Sequence, residues 1–200
     1  MVQNAKDKSY QIKRIRRLKI LIGCEFSGIV REAFRKKGHE AWSCDIIPSD
    51  DNSKYHIQDD ILNHLDDNYD MLICFPPCTH LCSSGARWFK DKIPQQKEAL
   101  DFVKKLLNCN IDKIALENPI GIISTRIKKP TQIIQPYEHG HGETKATCLW
   151  LKNLPKLKPS NIVKGREARI HNMPPTKDRS KLRSITYTGI AKAMANQWND

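Results

Sequence analysis

The sequence has no apolar run long enough to cross a membrane, and it shows no internal repeat or low-complexity tract. Its first eight residues, M-V-Q-N-A-K-D-K, are polar and charged and have none of the apolar character of a secretory signal. These absences argue against an integral membrane protein and against a secreted one. They predict a cytoplasmic location and no membrane partner.

A disulfide framework is also missing. The seven cysteines, an odd number, lie largely within predicted strands and helices, which favours reduced thiols. Cys74, Cys78 and Cys82 recur every four residues with His80 between them, but this spacing lacks the paired C-x2-C form of structural zinc sites. A metal or iron–sulfur protein is therefore the least favoured alternative, and we predict no metal.

Acidic residues are few beside the basic ones. The chain has 22 acidic and 34 basic residues, a formal net charge of +12, which favours a polyanionic partner. Much of the excess lies in residues 13–19, ahead of the first predicted strand, and in residues 164–183. Either cluster alone could be an ordinary solvated surface, but together they favour nucleic acid.

Apolar segments alternate between the periods of strands and helices. The length of 200 residues and the 39% hydrophobic content suit one core, so we predict a basic arm at residues 1–17 and a single domain at 18–200. We predict strands at 18–23, 40–45, 71–75, 111–116, 131–135 and 144–151, helices at 29–37, from Pro94 onward and at 184–198, and a loop at 48–60. The alternation predicts an α/β fold with a doubly wound, mostly parallel sheet.

Residues 69–88 carry the strongest local signal for chemistry. The apolar run at 71–75 ends at Pro76-Pro77, because proline lacks the N–H that a sheet needs, and Cys78 follows at once. A cysteine on a turn at the carboxyl end of a buried strand lies where open α/β sheets bind ligands, and its thiolate is a strong nucleophile. The alternative is a buried cysteine that acts only as a small apolar residue.

Further polar residues are predicted at the same edge of the sheet. Gly23 and Gly28 flank the turn after the first strand, and Asp45 ends the second, where doubly wound sheets bind a nucleotide and its ribose. G-C-E-F-S-G is not the dinucleotide fingerprint, so an adenosine-bearing cofactor other than a nicotinamide is favoured. Glu117 ends a later strand, so a thiol and a carboxylic acid would face one crevice.

These residues resemble the cytosine-5 DNA methyltransferases. Phe26-Ser27-Gly28-Ile29 is similar to the F-A-G-I cofactor turn of that family, residues 77–85 are similar to its nucleophile motif P-C-Q-x-x-S-x-x-G, and Glu117-Asn118-Pro119 is similar to its E-N-V motif. The order and spacing of the motifs are the specific part of this likeness, which is strongest over residues 18–125. It implies a Rossmann-like methyltransferase fold with S-adenosyl-L-methionine as the cofactor.

The resemblance also implies roles for individual residues. Cys78 would add to carbon 6 of cytosine, and Glu117 would contact N3 of the same ring. The cofactor-binding residues that it implies are Gly23, Phe26, Ser27, Gly28, Asp45, Ile46, Asp60, Pro77, Thr186 and Gly189. The substrate- or DNA-binding residues that it implies are Ser83, Gly85, Arg87, Asn118, Lys145, Arg179, Lys181 and Arg183.

The chain as a whole looks most like short phage-type members of the family, which would act in the host cytoplasm. Residues 153–183 form a short basic insertion where larger relatives carry a target-recognition domain. We therefore expect methylation of carbon 5 of cytosine in DNA, either in single strands or after the cytosine is flipped out of a duplex. The alternatives are a related enzyme that acts on pyrimidine nucleotides or transfers another one-carbon group, and a nucleic-acid-binding relative without catalysis. No feature of the sequence indicates an oligomeric state.

Overall fold

A computed structural model of the protein describes residues 16–200, apart from the side chains of residues 85–89. Its centre is a seven-stranded sheet. The strands are β1 Lys19–Gly23, β2 Glu40–Asp45, β3 His56–Gln58, β4 Met71–Cys74, β5 Lys113–Pro119, β6 Gln132–Ile134 and β7 Thr147–Lys152. β1 to β5 are short, and the residues of β1 and β4 are almost completely buried, as expected for parallel strands that are covered on both faces.

Helices cover both faces of this sheet. They are α1 Ile29–Arg35, α2 Ile93–Asn108, α3 Ile123–Arg126, α4 Arg169–Asn172, α5 Arg179–Ser184 and α6 Thr188–Gln197, with shorter-pitched 3-10 helices at Ile61–His64, Ser83–Lys92 and Pro136–Glu138. One face packs against Phe34 of α1, Met194 of α6 and the following Trp198, and the other packs against Val103 and Leu106 of α2. Among the described helices, none combines the length and the apolar character needed to span a bilayer.

The strand order is β3-β2-β1-β4-β5-β7-β6. β1 to β5 are parallel, whereas β7 runs antiparallel to both of its neighbours, β5 and β6. The chain moves outward from β1 to β3 and then returns to the other side of β1, so the strand order reverses between β1 and β4. This topology confirms the predicted doubly wound, mostly parallel sheet, and it is consistent with the Rossmann-like methyltransferase fold that the resemblance implied.

Two predictions about the strands were wrong. Residues 48–60 were predicted as loop, but β3 lies within them and pairs with the end of β2 at the edge of the sheet. The strand predicted to stop at Glu117 continues as β5 through Pro119. Its neighbour β4 pairs with it only as far as Leu116, so the last residues of β5 have a free side on which a proline costs no ladder hydrogen bond.

The predicted closing helix was also too long. Residues 184–198 divide into the end of α5, an extended segment at Ile185–Tyr187 and the helix α6. α5 belongs to the basic insertion, residues 153–183, which also contains α4. Backbone hydrogen bonds fasten this insertion to the loop after β6, from Gly140 N–H to the carbonyl of Asn161 at 2.7 Å and from Thr144 N–H to the carbonyl of Glu167 at 2.8 Å.

Most of the predicted basic arm, residues 1–15, lies outside the described part of the chain. The two basic residues that precede β1 are described, and both form ion pairs with acids near the amino ends of the strands. Arg16 contacts Asp70 at 2.7 Å, and Arg17 contacts Glu40 at 3.6 Å. Both arginines are largely exposed, so these pairs contribute little to stability.

Candidate active site

Cys78 lies in a turn that begins directly after β4 and the two prolines. The carbonyl of Cys78 accepts hydrogen bonds from the amides of Leu81 at 3.0 Å and Cys82 at 2.9 Å, so residues 78–82 form one helical turn. Leu81 is 1% exposed and belongs to the apolar core on the face of the sheet that α2 covers. The turn is therefore held by its own backbone and by a buried anchor.

The connection after β5 holds the same turn from the other side. The carbonyl of Leu81 accepts from the amide of Ile122 at 2.9 Å, and both the amide and the hydroxyl of Ser83 donate to the carbonyl of Ile120 at 3.0 Å. A Cβ atom on Gly121 would lie 2.0 Å from the carbonyl oxygen of Leu81. Only glycine allows the two backbones to approach this closely. Ser83, predicted to bind substrate, thus fastens the turn that carries Cys78.

Glu117 and Asn118 stand near the carboxyl end of β5, beside β4. The Asn118 side chain is 1% exposed, and its amide donates to the carbonyl of Pro76 at 2.8 Å, immediately ahead of Cys78. This bond joins the turn that carries Cys78 to the strand that carries Glu117. Asn118, which the resemblance implied as a substrate residue, is thus placed where it orients the turn, and its Oδ1 is buried without a partner among the described residues.

Neighbouring ionisable groups change the pKa values of Cys78 and Glu117. Burial raises the pKa of the Cys78 thiol, the neighbouring Cys82 and Glu117 raise it further, and Lys145 and Arg183 lower it. Burial likewise raises the pKa of Glu117, against the opposing effects of Lys145 and the Thr147 hydroxyl. Glu117 therefore keeps its proton to a higher pH than an exposed glutamate. The thiol and the acid share Lys145 as a neighbouring cation.

A narrow cleft of about 20 Å³, room for about one water molecule, lies between Glu117 and the start of α6. Of the residues predicted for the site, it is lined by Glu117, Lys145 and Thr186. Its other lining residues were not singled out from the sequence, and they are Phe75, Thr147, Ser184, Tyr187, Ile190 and Met194. Phe75 follows β4 directly and Thr147 begins β7, so a correct assignment of strand ends would have indicated both.

The turn after β1 is shaped by Gly28 and by a buried acid. Gly28 has a φ of 71°, a left-handed conformation that suits glycine, and it leads directly into α1. Glu25 is 4% exposed, and one of its oxygens accepts from the Ser27 hydroxyl at 2.8 Å and from the Val30 amide at 3.1 Å. Its other oxygen, Oε2, has no partner among the described residues. Ser27, a predicted cofactor residue, is thus engaged in forming the turn.

An acid and exposed apolar side chains lie at the carboxyl ends of β2 and β4, the two strands that flank β1. Asp45 ends β2, and the side chain of the following Ile46 is 73% exposed although it is large and apolar. Pro77 is exposed at the end of β4. Burial raises the pKa of Asp45, while the hydrogen bond from the Ile47 amide opposes this effect. An acid beside exposed apolar groups suits a nucleoside, which has ribose hydroxyls to donate and a flat base to cover.

Three other predicted cofactor residues have structural contacts of their own. Gly23 ends β1, and a Cβ atom there would lie 2.9 Å from Ile61. Asp60 accepts from the amide of Leu62 at 2.9 Å and so caps a 3-10 helix. The amide of Gly189, at the start of α6, donates to Nε2 of His141 at 3.0 Å. These contacts give each residue a role in shaping the crevice.

The basic residues of the insertion lie on both sides of the crevice. The ammonium group of Lys145 donates to the carbonyl of Arg183 at 2.8 Å, so α5 is held at the side of Glu117. The ammonium group of Lys181 contacts Asp50 at 2.6 Å and lies 5.1 Å from the ring centroid of Phe26. Lys181, predicted to bind DNA, thus covers a predicted cofactor residue. Arg179 is half-buried at the start of α5.

Two predicted substrate residues, Gly85 and Arg87, fall in the 3-10 helix Ser83–Lys92, within the segment whose side chains lie outside the description.

The described residues also bear on the alternative of a metal site. Across the part that the structure describes, no three histidine, cysteine or acidic side chains are grouped to hold a metal ion. Cys74 lies in the core, 3.9 Å from the sulfur of Cys24.

No known family model matches the chain, and no curated protein matches it either. Among solved structures, the chain is similar to the crystal structure of the S. pombe Dnmt2 methyltransferase, with 14% sequence identity and a TM-score of 0.49. The matched region covers 78% of this chain and 54% of the S. pombe protein, so the chain spans about half the length of that protein.

The electrostatic coupling of Cys78 and Glu117 makes a testable prediction. Wherever Glu117 is ionised, replacing it with Gln removes a negative charge beside the thiol, so the pKa of Cys78 should fall and alkylation of Cys78 by iodoacetamide should be faster. At a pH where Glu117 keeps its proton, the two proteins should react alike. Replacing Lys145 with Met removes a cation and should slow the same reaction. Mass spectrometry of the Cys78 peptide across pH measures both effects.

The partly buried Cys109, at the far end of α2, serves as the internal reference in every sample. Its alkylation should be unchanged in both variants. An identical pH profile for Cys78 in the wild-type protein and in Glu117→Gln would show that the two groups are not coupled.

Proposed function

We propose that the protein is a methyltransferase that acts on carbon 5 of cytosine in DNA and uses S-adenosyl-L-methionine as the cofactor. The observation that carries the proposal is that the turn with Cys78 follows β4 and Glu117 lies in the adjacent strand β5, close enough for the charge of Glu117 to raise the pKa of the Cys78 thiol. A thiol nucleophile beside an acid that retains its proton is the pair that addition to a pyrimidine ring requires.

The chemistry assigns each residue a defined task. Carbon 5 of cytosine is a poor nucleophile, so the Cys78 thiolate first adds to carbon 6 while the Glu117 carboxyl group hydrogen-bonds to N3 or protonates it. The resulting enamine carries electron density at carbon 5. S-adenosyl-L-methionine, when bound, would supply a methyl group from its sulfonium and would remain as S-adenosyl-L-homocysteine. A base then removes the carbon-5 proton, any proton on N3 returns to Glu117, the ring double bond forms again and the Cys78 thiolate leaves.

The charges of the crevice support these tasks. The raised pKa of Glu117 suits an acid that must present a proton to N3. Burial raises the pKa of Cys78 overall, and Lys145 and Arg183 oppose this effect, so the same cations that could attract a phosphate backbone also favour the thiolate. Asn118 would keep the thiol in place through the Pro76 carbonyl.

The residues at the ends of β1 and β2 would hold the cofactor. Asp45 would accept hydrogen bonds from the ribose hydroxyls, and the exposed apolar side chain of Ile46 would contact the adenine. Phe26 and Gly28 would contribute the turn on which the adenosine lies. Because Lys181 contacts Phe26, the basic insertion lies next to the cofactor as well as to the thiol.

Residues 153–183 would bind the nucleic acid chiefly through its phosphates. The segment is short and basic, with only the helices α4 and α5, so it offers cations in number but few groups that could read base edges. Flipping a cytosine out of a duplex costs a few kcal/mol of stacking, so we expect single strands to be preferred.

Covalent trapping tests the proposed function directly. Fluorine cannot leave carbon 5 as a cation, so DNA containing 5-fluorocytosine should form a stable adduct with the wild-type protein in the presence of S-adenosyl-L-methionine. Denaturing gels and intact-mass analysis would detect it. Cys78→Ser should form none.

Parallel samples with single-stranded DNA, duplex DNA and 5-fluoro-deoxycytidine monophosphate would identify the substrate. An adduct with the monophosphate alone would replace the DNA proposal with that of a nucleotide-modifying enzyme. No adduct with any substrate, although the protein binds both cofactor and DNA, would favour a relative without catalysis.

Removing the Asp45 carboxylate should weaken cofactor binding. Asp45→Ala leaves the ribose hydroxyls unpaired, which costs about 1–3 kcal/mol and corresponds to a loss in affinity of roughly tenfold to a hundredfold. Isothermal calorimetry with S-adenosyl-L-methionine measures the change. Asp66→Ala, an exposed acid in the same region of sequence, is the matched control and should bind as the wild type does. Equal affinities for the two variants would reject Asp45 as the ribose ligand.

The basic insertion should govern the salt dependence of DNA binding. Changing Lys164, Lys177 and Arg179 to Ala should lower the slope of log affinity against log salt by roughly 0.7–0.9 for each phosphate that the side chains no longer neutralise. Fluorescence titrations at several salt concentrations give the slope.

The matched control changes Lys36, Lys37 and Lys54, which are exposed and precede the amino ends of β2 and β3. It removes the same charge and should leave the slope close to that of the wild type. A similar decrease in slope in both triple variants would show that the insertion contributes only to the net positive charge of the protein and does not contact phosphates itself.

A further inference from the structure

A second pocket lies beside the narrow cleft at Glu117, and no step of the proposed reaction uses it. It has a volume of about 200 Å³ and opens to the surface between α4, α5 and the extended residues 185–187. An apolar cavity of about 150 Å³ is large enough to hold benzene. This pocket therefore has room for one flat ring of the size of a nucleobase.

The lining of this pocket is mostly apolar. Ile170, Met173, Leu182 and Ile185 contribute aliphatic or thioether side chains to it. Ile170 is buried, whereas Leu182 is 48% exposed although it is large and apolar. Apolar side chains that share one pocket form a contiguous surface, and such surfaces mark binding sites more often than single exposed residues do. The lining thus suits a ligand with a flat apolar face.

One wall of the pocket is held in place by Glu143. One oxygen of this carboxylate accepts from the Tyr187 hydroxyl at 2.7 Å, and the other contacts the Arg169 guanidinium at 2.9 Å. The ring of His141 packs against that of Tyr187, with 4.9 Å between the centroids. Tyr187 and Arg169 both line the pocket. Because these side chains are fixed by other contacts, a ligand would have little ordering of this wall to offset.

The pocket and the cleft at Glu117 have a wall in common. Thr186 and Tyr187 line both of them. The neighbouring α5 is fastened on the side of the cleft, where the Arg183 carbonyl accepts from Lys145 at 2.8 Å. A ligand that reaches from the cleft into the pocket must be a chain with rings at successive positions. A single strand of nucleic acid presents its unstacked bases in this way.

The surroundings of the pocket favour an anionic chain. An apolar side chain of a partner protein gains nothing from nearby cations, whereas a nucleic-acid strand carries one phosphate for each base. The Arg169 side chain is 52% exposed at the pocket itself. Residues 164–183, which contain α4 and most of α5, have only the acids Glu167 and Asp178 beside the basic residues Lys164, Arg166, Arg169, Lys177, Arg179, Lys181 and Arg183.

We propose that this pocket binds the base of a nucleotide next to the target cytosine in single-stranded DNA, an inference that rests on the DNA substrate of the proposed function. The base would lie among Met173, Leu182 and Ile185, and the adjoining phosphates would contact the basic side chains of α5. Apolar contacts with the faces of a ring are similar for every base, so sequence selectivity stays weak. The pocket would hold the strand in register, with the cytosine at Cys78.

Abasic nucleotides test this inference. A short oligothymidylate with one central cytosine is compared with two strands in which the nucleotide on the 5′ side or on the 3′ side of the cytosine lacks its base. All three strands carry the same phosphates, so contacts with the cations are equal. Removing the base that fills the pocket should weaken binding roughly tenfold, on one side of the cytosine only. Fluorescence anisotropy without cofactor measures the three affinities.

Variants of the pocket assign the effect to its lining. Leu182→Ser and Met173→Ser should bind the intact strand about as weakly as the wild type binds the sensitive abasic strand, and should lose nothing more when that base is removed. Ile162→Ser is the matched control. Ile162 is a 69% exposed apolar residue of the same insertion that does not line the pocket, so this variant should bind all three strands as the wild type does.

Two results would overturn the inference. Equal affinities of the wild type for all three strands would exclude a base from the pocket and leave an apolar protein side chain as the ligand that fits it. An equal loss for intact and abasic strands in both serine variants would show that Leu182 and Met173 act through the fold of the insertion. The proposed function is judged separately. If 5-fluorocytosine DNA is not trapped although the abasic effect is present, the proposed reaction is wrong and the pocket for the base stands.

Discussion

The reversal of strand order between β1 and β4 is the constraint on which the candidate site depends. The connections that leave these two strands run in opposite directions across the sheet, so a crevice opens between their carboxyl ends. Gly23 and Cys74 are register partners at this point, and the amide of Phe75 donates to the carbonyl of Gly23 at 3.0 Å. The segment with Gly28 that follows β1 and the segment with Cys78 that follows β4 therefore begin level with each other.

The antiparallel strand β7 brings a cation to the edge of the sheet where the parallel strands end. Because β7 runs against β5, its amino end lies at the carboxyl edge of β5, with Thr147 paired to Pro119. Lys145 comes just before β7 and so is brought beside Glu117 at the edge where the other reactive groups lie. In parallel orientation the same sequence would have placed this cation at the opposite edge. The direction of one strand thus decides the charge around Cys78 and Glu117.

Much of the fold could be predicted from the sequence where burial is continuous. β1 and β4 are short runs of mostly apolar residues with turn residues at their ends, and Cys78 and Glu117 were predicted because reactive residues at strand ends share one edge. β3 could not be predicted in this way, since its three residues are mostly polar and owe their conformation to the edge of β2. The contact of Lys181 with Phe26 joins residues far apart in sequence, so no local pattern indicates it.

Gly121 shows that a site of this kind also depends on a residue without any chemistry of its own. It carries no thiol, acid or cation, yet a single added carbon would overlap the carbonyl of Leu81 and push the turn that carries Cys78 away from the connection after β5. Selection for reactivity at Cys78 would therefore act on Gly121 as well. In a library of substitutions screened for function, Gly121 would tolerate as little change as Cys78. A search for reactive side chains alone would not identify it.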